Sequence, residues 1–181
     1  MEETLSREQK SFLLDLARRT ISSYLEKGKS LKEESDDPQL QEKRGAFVTL
    51  KVKKDLRGCI GYPLPHKPLF QTIIDCARAA ATQDFRFVSI QKEELSRLAI
   101  EISVLTLPRK ITDVREIKIG EHGIILSKGS HKGLLLPQVP VEWDWDLKTY
   151  LNHGCLKAGL GEEEWKKGAT IEIFSAQVFS D

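Results

Sequence analysis

Cysteine is scarce in this chain. Only Cys59, Cys76 and Cys155 occur, an odd number without regular spacing. That excludes a disulfide framework and fits a reducing compartment. No C-x-x-C, H-x-x-x-H or H-E-x-x-H pair sets two metal ligands on one element, so no metal site is assigned. The chain also lacks a G-x-x-x-x-G-K phosphate loop and a G-x-G-x-x-G fingerprint, which sets aside the common nucleotide chemistries. The residues identify no cofactor. An excess of one charge is missing too, because 28 Lys and Arg stand against 27 Asp and Glu. Such a balance gives no general attraction to nucleic acid or to an anionic membrane. No apolar run approaches the roughly 20 residues of a membrane span. The opening MEETLSREQK has no apolar region of a secretory leader, and the expectation is a cytoplasmic protein.

What is present is an ordinary globular balance: 181 residues, 40% hydrophobic and 30% charged, enough to bury a proper core. Ser6 and Gln9 form a capping-box pattern, and apolar residues recur from Leu13 to Leu25 at helical spacing. The reading is a helix over 7–27 stopped by Gly28. A charged stretch with Pro38 follows as a loop. From Gly45 the period changes to two, with Val48, Leu50 and Val52 as the core face of a strand. Lys54-Asp55 is read as the turn of a hairpin into a second strand, Leu56–Tyr62. A proline-rich loop with His66 leads to a helix from Pro68 to about Gln83. Its inner face carries Leu69, Ile73, Cys76, Ala77 and Ala80, which makes Cys76 a small core residue. After it, Phe85 or Phe87 is expected to plug the core while Asp84 and Arg86 pair at the surface. Residues 91–97 read as a short helical turn and Ile100–Leu107 as a strand. Gly123–Ser127 and Gly133–Leu136 read as hairpin arms, with His131 on the exposed tip and Leu134–Leu136 buried on both faces. Asp144 or Asp146 caps a helix containing Tyr150, Leu151 and Cys155. His153 and Cys155 define no metal site. Thr170–Phe179 closes the chain as a strand. Hairpin punctuation without regular strand–helix alternation predicts an α+β fold with a mainly antiparallel sheet, with Leu50, Val104 and Ile173 buried.

The stretch with most chemistry is Leu56-Arg57-Gly58-Cys59-Ile60-Gly61-Tyr62. Read as a strand, Leu56, Gly58 and Ile60 face one side, and Arg57, Cys59 and Gly61 the other. A guanidinium beside a thiol favours the reactive thiolate. Glycine inside a strand marks close approach by a ligand or another backbone. Catalysis at Cys59 needs a base, and His66 and His122 are the histidines to weigh. Two classes stay open: a ligand- or partner-binding domain, and a cysteine-dependent enzyme using Cys59 as nucleophile or redox thiol.

Taken together, several segments resemble the AMMECR-type domain family. They are Leu56–Gly61 with Pro65 and Pro68-Leu69, a D-x-R-F element at Asp84, Arg86 and Phe87, and Glu101–Leu105. Gly120, His122-Gly123, Leu136–Val139, Trp145-Asp146 and Lys157–Leu160 extend it over nearly the whole chain. Phe85 and Val88-Ser89 stand where the family often has prolines. The resemblance implies one α+β domain over 1–181, with a second, smaller β-rich lobe. The larger lobe is expected at about 1–107 plus 168–181, and the smaller at about 108–167. It also implies a cleft at the R-G-C-I-G motif, with Arg57, Gly58, Gly61, Asp84, Arg86 and Gln138 as binding residues and His122 among them. It supplies no reaction, and Cys59 and His122 are catalytic candidates on their residue chemistry alone. The implied partners are Memo-like and radical S-adenosylmethionine proteins of a shared modification pathway, besides a small molecule or protein of unknown identity.

Overall fold

The first helix follows from its caps. Ser6 Oγ accepts from the Gln9 amide at 3.2 Å, and Gln9 Oε1 accepts from the Ser6 amide at 2.8 Å. At the other end Gly28 takes a left-handed φ of 64° and its amide reaches the Tyr24 carbonyl, a stop that glycine makes without steric cost. Between them Leu13, Leu16, Ala17, Thr20 and Ile21 are buried, one stripe of an amphipathic helix. The structure is a computed structural model and describes residues 4–181. Its elements run α1 (Arg7–Lys27), α2 (Pro38–Gln41), β1 (Ala46–Val52), β2 (Asp55–Tyr62), α3 (Leu69–Thr82), β3 (Leu98–Leu105) and β4 (Arg109–Ile111). Then follow β5 (Gly123–Lys128), β6 (His131–Leu135), α4 (Val139–Glu142), α5 (Leu147–Lys157), β7 (Thr170–Phe174) and β8 (Ala176–Ser180). The chain divides into two units, one formed by the chain up to Leu105 with Gln177–Asp181, the other by Thr106–Ala176. The fold is α+β with antiparallel pairing.

In the first unit the sheet order is β2-β1-β3-β8. Val48 lies opposite Ile102 and Leu50 opposite Ile100. All four are fully buried, so the alternation read in β1 and β3 sets one apolar face. α3 packs on β1 and β2, and α1 packs on β3 and α3. The buried residues of α3 include Leu69, Ile73, Cys76, Ala77 and Ala80, the face its spacing predicts. The charged loop after α1 contains α2, capped by Asp37, whose carboxylate accepts from the Gln39 and Leu40 amides.

The hairpin is where the chain departs from simple alternation. Its turn is Lys53-Lys54, one residue before the predicted position. Both residues have positive φ, 51° and 75°, as a two-residue turn needs to match the twist of its strands. Pairing then runs from Lys51 opposite Leu56 to Leu50 opposite Gly58. Arg57 is the extra residue of a β-bulge. The bulge reverses the phase of β2 at its start, so Leu56 shares the outer face with Lys51, Thr49 and Cys59. It does not face inward with Gly58 and Ile60 as a continuous alternation predicts, and it is 40% exposed.

The second unit has sheet order β4-β7-β5-β6. β7 pairs with β4 and β5 in this sheet and so belongs to the second unit, not to the larger lobe as the family resemblance implies. Its core joins Ile124, Leu126, Ile171 and Ile173 of the sheet to Tyr150, Leu151 and Cys155 of α5. Asp146 caps α5 by accepting from the Thr149 amide at 2.7 Å. Leu134 and Leu135, on edge strand β6, and Leu136 beyond it are half-buried rather than covered on both faces. His131 opens β6, with Nδ1 3.3 Å from the Ala158 carbonyl, rather than sitting on a free tip. Among the described residues no helix is long and apolar enough to cross a membrane.

Candidate functional site

Two glycines of the motif have clear local causes. A side chain at Gly58 would overlap the backbone carbonyl of Ala80, so glycine there lets α3 cross directly over β2. A side chain at Gly61 would overlap the Phe47 ring, which covers that position from the neighbouring strand. The close approach predicted by glycine in a strand is thus made by a helix backbone and by an aromatic ring.

β2 is an edge strand, and an edge exposes unpaired amides and carbonyls. At Cys59 a charged pair fills that role. Asp84 Oδ2 accepts from the Cys59 amide at 2.9 Å, and Arg86 Nη2 donates to the Cys59 carbonyl at 3.1 Å. The two side chains grip each other through Arg86 Nε to Asp84 Oδ1 at 2.9 Å and Nη2 to Oδ2 at 2.7 Å. The Arg86 amide adds a fourth bond to the carboxylate at 3.2 Å. Asp84 and Arg86 therefore stand in for a neighbouring strand at one residue of the edge. The Arg86 guanidinium above all holds the Asp84 carboxyl far below the usual carboxylate range, and the Cys59 and Arg86 amides act in the same direction against desolvation.

This clamp inverts the expected loop. Asp84 is the buried residue, 5% exposed, and Phe85 is 96% exposed. Phe87 is half-buried beneath the Arg86 guanidinium, 5.4 Å from its ring centre. Ile90 plugs the core in place of a phenylalanine. The reason is energetic. A carboxylate with four donors can be buried, and the short span from Asp84 to Arg86 then points Phe85 outward.

Arg57 has its own partner. Its Nε and Nη2 make a two-pronged pair with Glu94 at 2.9 and 3.0 Å, and Nη1 donates to the Val88 carbonyl at 3.1 Å. Each group shifts the other, with Glu94 held lower and Arg57 higher than usual by their mutual hydrogen bonds. The guanidinium bound to the Cys59 backbone is thus that of Arg86. The Cys59 sulfur accepts a hydrogen bond from Thr49 Oγ1 at 3.2 Å. Cys59 is half-buried, while Cys76 and Cys155 are fully buried. Burial pushes the Cys76 thiol up to about 12 and raises that of Cys155.

Arg57, Cys59, Asp84 and Arg86 are therefore brought together in the first unit. His122 and Gln138 belong to the second. His122 Nδ1 accepts from the Lys118 amide at 3.2 Å, and its carbonyl accepts from the Tyr150 hydroxyl at 3.2 Å. Gln138 is exposed at the start of α4, where its carbonyl accepts from the Val141 and Glu142 amides. Glu94 and Thr49 escaped the sequence reading. Thr49 could have been found from the hairpin register, but nothing local marks Glu94 as the partner of Arg57. Just past the motif, a cavity of about 260 Å³ is lined by Tyr62, Leu64, His66, Lys67 and Thr72. Among the described residues no group of three or more His, Cys, Asp or Glu is placed to hold a metal ion.

Comparison with known proteins gives the lineage. Residues 14–179 match the AMMECR1 family. The chain is 47% identical over 191 residues to protein MK0488 of Methanopyrus kandleri, covering 100% of this chain and 92% of that one. It is 44% identical over 186 residues to protein MJ0810 of Methanocaldococcus jannaschii, covering 98% and 92%. The crystal structure of the uncharacterized protein PH0010 from Pyrococcus horikoshii matches with a TM-score of 0.82 at 42% identity, covering 98% of this chain and 93% of that one. A family match across nearly the full length, with relatives of such identity and coverage, means that this chain belongs to the AMMECR1 family.

Proposed function

We propose that the protein is a binding domain whose contact surface is the outer edge of β2 with the segment 84–88 clamped onto it. The observation that carries this reading is Phe85, 96% exposed between two residues fixed by the clamp. Leaving a phenylalanine in water forgoes about 1.5–3 kcal/mol of burial. Mounting it on a fixed frame reduces the ordering cost of binding. Aromatic anchors entering a partner's pocket carry much of the energy of protein interfaces. Val88, 76% exposed, and Leu56 add apolar area beside it, and Arg57 ties the Val88 carbonyl to β2. The family resemblance makes Memo-like and radical S-adenosylmethionine proteins the partners to try. Calorimetric titration with each, taken from the same genome, is expected to show binding that Phe85→Ser weakens at least about tenfold, or 1.4 kcal/mol. Unchanged binding by Phe85→Ser and Val88→Ser variants that remain folded would refute this surface.

One observation favours a second reading, a cysteine-dependent enzyme. Cys59 alone among the three thiols is not fully buried, and it borders the clamp. On this reading Cys59 is nucleophile or redox thiol. Iodoacetamide labelling of Cys59 no faster than that of free cysteine at neutral pH would rule out an activated thiol.

A further inference from the structure

The second unit carries an aromatic row of its own. After α4 the chain doubles back through Trp143, Asp144 and Trp145 to the cap of α5. Backbone bonds hold this turn: Trp143 amide to Val139 carbonyl at 3.2 Å, Asp144 to Val141 at 3.3 Å, and Trp145 to Pro140 at 2.8 Å. Asp144 adopts a left-handed φ of 51°, which aspartate tolerates better than most residues. Three rings come into series. His153 of α5 stacks on Trp145 with centroids 3.9 Å apart and planes 7° apart. Trp145 in turn faces Trp143 at 6.4 Å and 23°. Trp145, the middle ring, packs against the core of the unit, which anchors the row. Its outer end, Trp143, is 68% exposed, with Val141 nearby in sequence 59% exposed.

The segment that carries the two tryptophans has charge of one sign. Residues 139–146 contain Glu142, Asp144 and Asp146 and no lysine or arginine. Asp146 is engaged in capping α5, and the next cation, Lys148, pairs with Glu163 at 3.3 Å. Among the described residues Glu142 and Asp144 make no ion pair. An exposed indole is thus flanked in sequence by two uncompensated carboxylates, on a turn fixed by hydrogen bonds.

We propose that Trp143, with Glu142 and Asp144, is a docking site for a basic protein segment. An arginine or lysine of that segment lies on the Trp143 indole and pairs with the flanking carboxylates. Tryptophan is the best ring for a cation, and arginine the more frequent partner. An apolar partner would bury both carboxylates without compensation, and a nucleic acid would meet them as like charges. Charge complementarity therefore selects a cation.

The test uses the full-length protein and a short Arg-Gly repeat peptide, followed by tryptophan fluorescence and calorimetry at low salt. Saturable binding is expected, weakening as salt rises, and stronger than that of the matching Lys-Gly peptide. Trp143→Ala, and separately Glu142→Gln with Asp144→Asn, should each reduce affinity at least about tenfold. Substituting Glu33→Gln and Glu34→Gln in the other acidic stretch, or Phe85→Ser on the β2 surface, should leave it unchanged. Because Trp143 is exposed, its variant keeps the wild-type circular dichroism. Equal affinity of Trp143→Ala and wild type, equal loss from the Glu33 and Glu34 changes, or quenching by a neutral oligosaccharide in place of the peptide would overturn the proposal.

Discussion

Replacing Asp84 by alanine removes the centre of the clamp. Its carboxylate, on a side chain 2% exposed, loses bonds from the Cys59 amide, the Arg86 amide and two Arg86 guanidinium nitrogens. Breaking a fully buried ion pair costs about 3–5 kcal/mol. Here the side chain of Arg86 is 48% exposed and regains water, so the lower end applies, about 3 kcal/mol. Asp84→Asn keeps one acceptor for the Cys59 amide and should cost about half as much. The sign of the pH effect follows from the depressed carboxyl. Between the folded and unfolded pKa values the unfolded chain binds more protons, so this contribution is full above the unfolded value near 3.9 and is lost as pH falls through the folded one. The penalty of Asp84→Ala should therefore be about 1 kcal/mol smaller at pH 3 than at pH 7. Urea unfolding at both pH values measures it, and amide exchange at Cys59 supplies a local readout that global unfolding does not. A penalty below about 0.5 kcal/mol, the scale of an ordinary surface change, would refute the reasoning. So would unchanged protection of the Cys59 amide in the variant.

Gly58→Ala places a methyl group against the Ala80 carbonyl, and thermal unfolding should show a loss of at least about 3 kcal/mol, the upper range of overpacking. Wild-type stability would mean that α3 shifts freely from β2. At the turn, Lys53→Asn with Lys54→Gly relieves two positive φ angles and should raise stability by about 1 kcal/mol, as chemical denaturation would show. Thiol labelling of the folded protein should modify Cys59 and spare Cys76 and Cys155, which are fully buried, until denaturant exposes all three. Equal rates at all three sites in native buffer would contradict the packing of both cores.

Much of the fold is legible in short windows of sequence. The caps of α1, the period-two face of β1, the inner face of α3 and the aspartate cap of α5 depend on residues a few positions apart. Local sterics and hydrogen bonding settle those. Family membership was readable as well, because its motifs recur in order along the chain. The candidate site was readable only as a place. That Leu56 faces outward depends on the bulge at Arg57, a register slip between two strands that neither strand announces alone. That Asp84 is buried and Phe85 exposed depends on an amide 25 positions earlier, which makes burial of a charge affordable and overrides hydropathy. Arg57 finds Glu94 across 37 positions. His153 meets Trp145 only because the turn after α4 folds back on α5. Sequence patterns fix which residues are apolar and where elements begin and end. The partner of each charged or aromatic side chain is decided by the packing of elements distant in the chain, where burial and paired hydrogen bonds outweigh local preference.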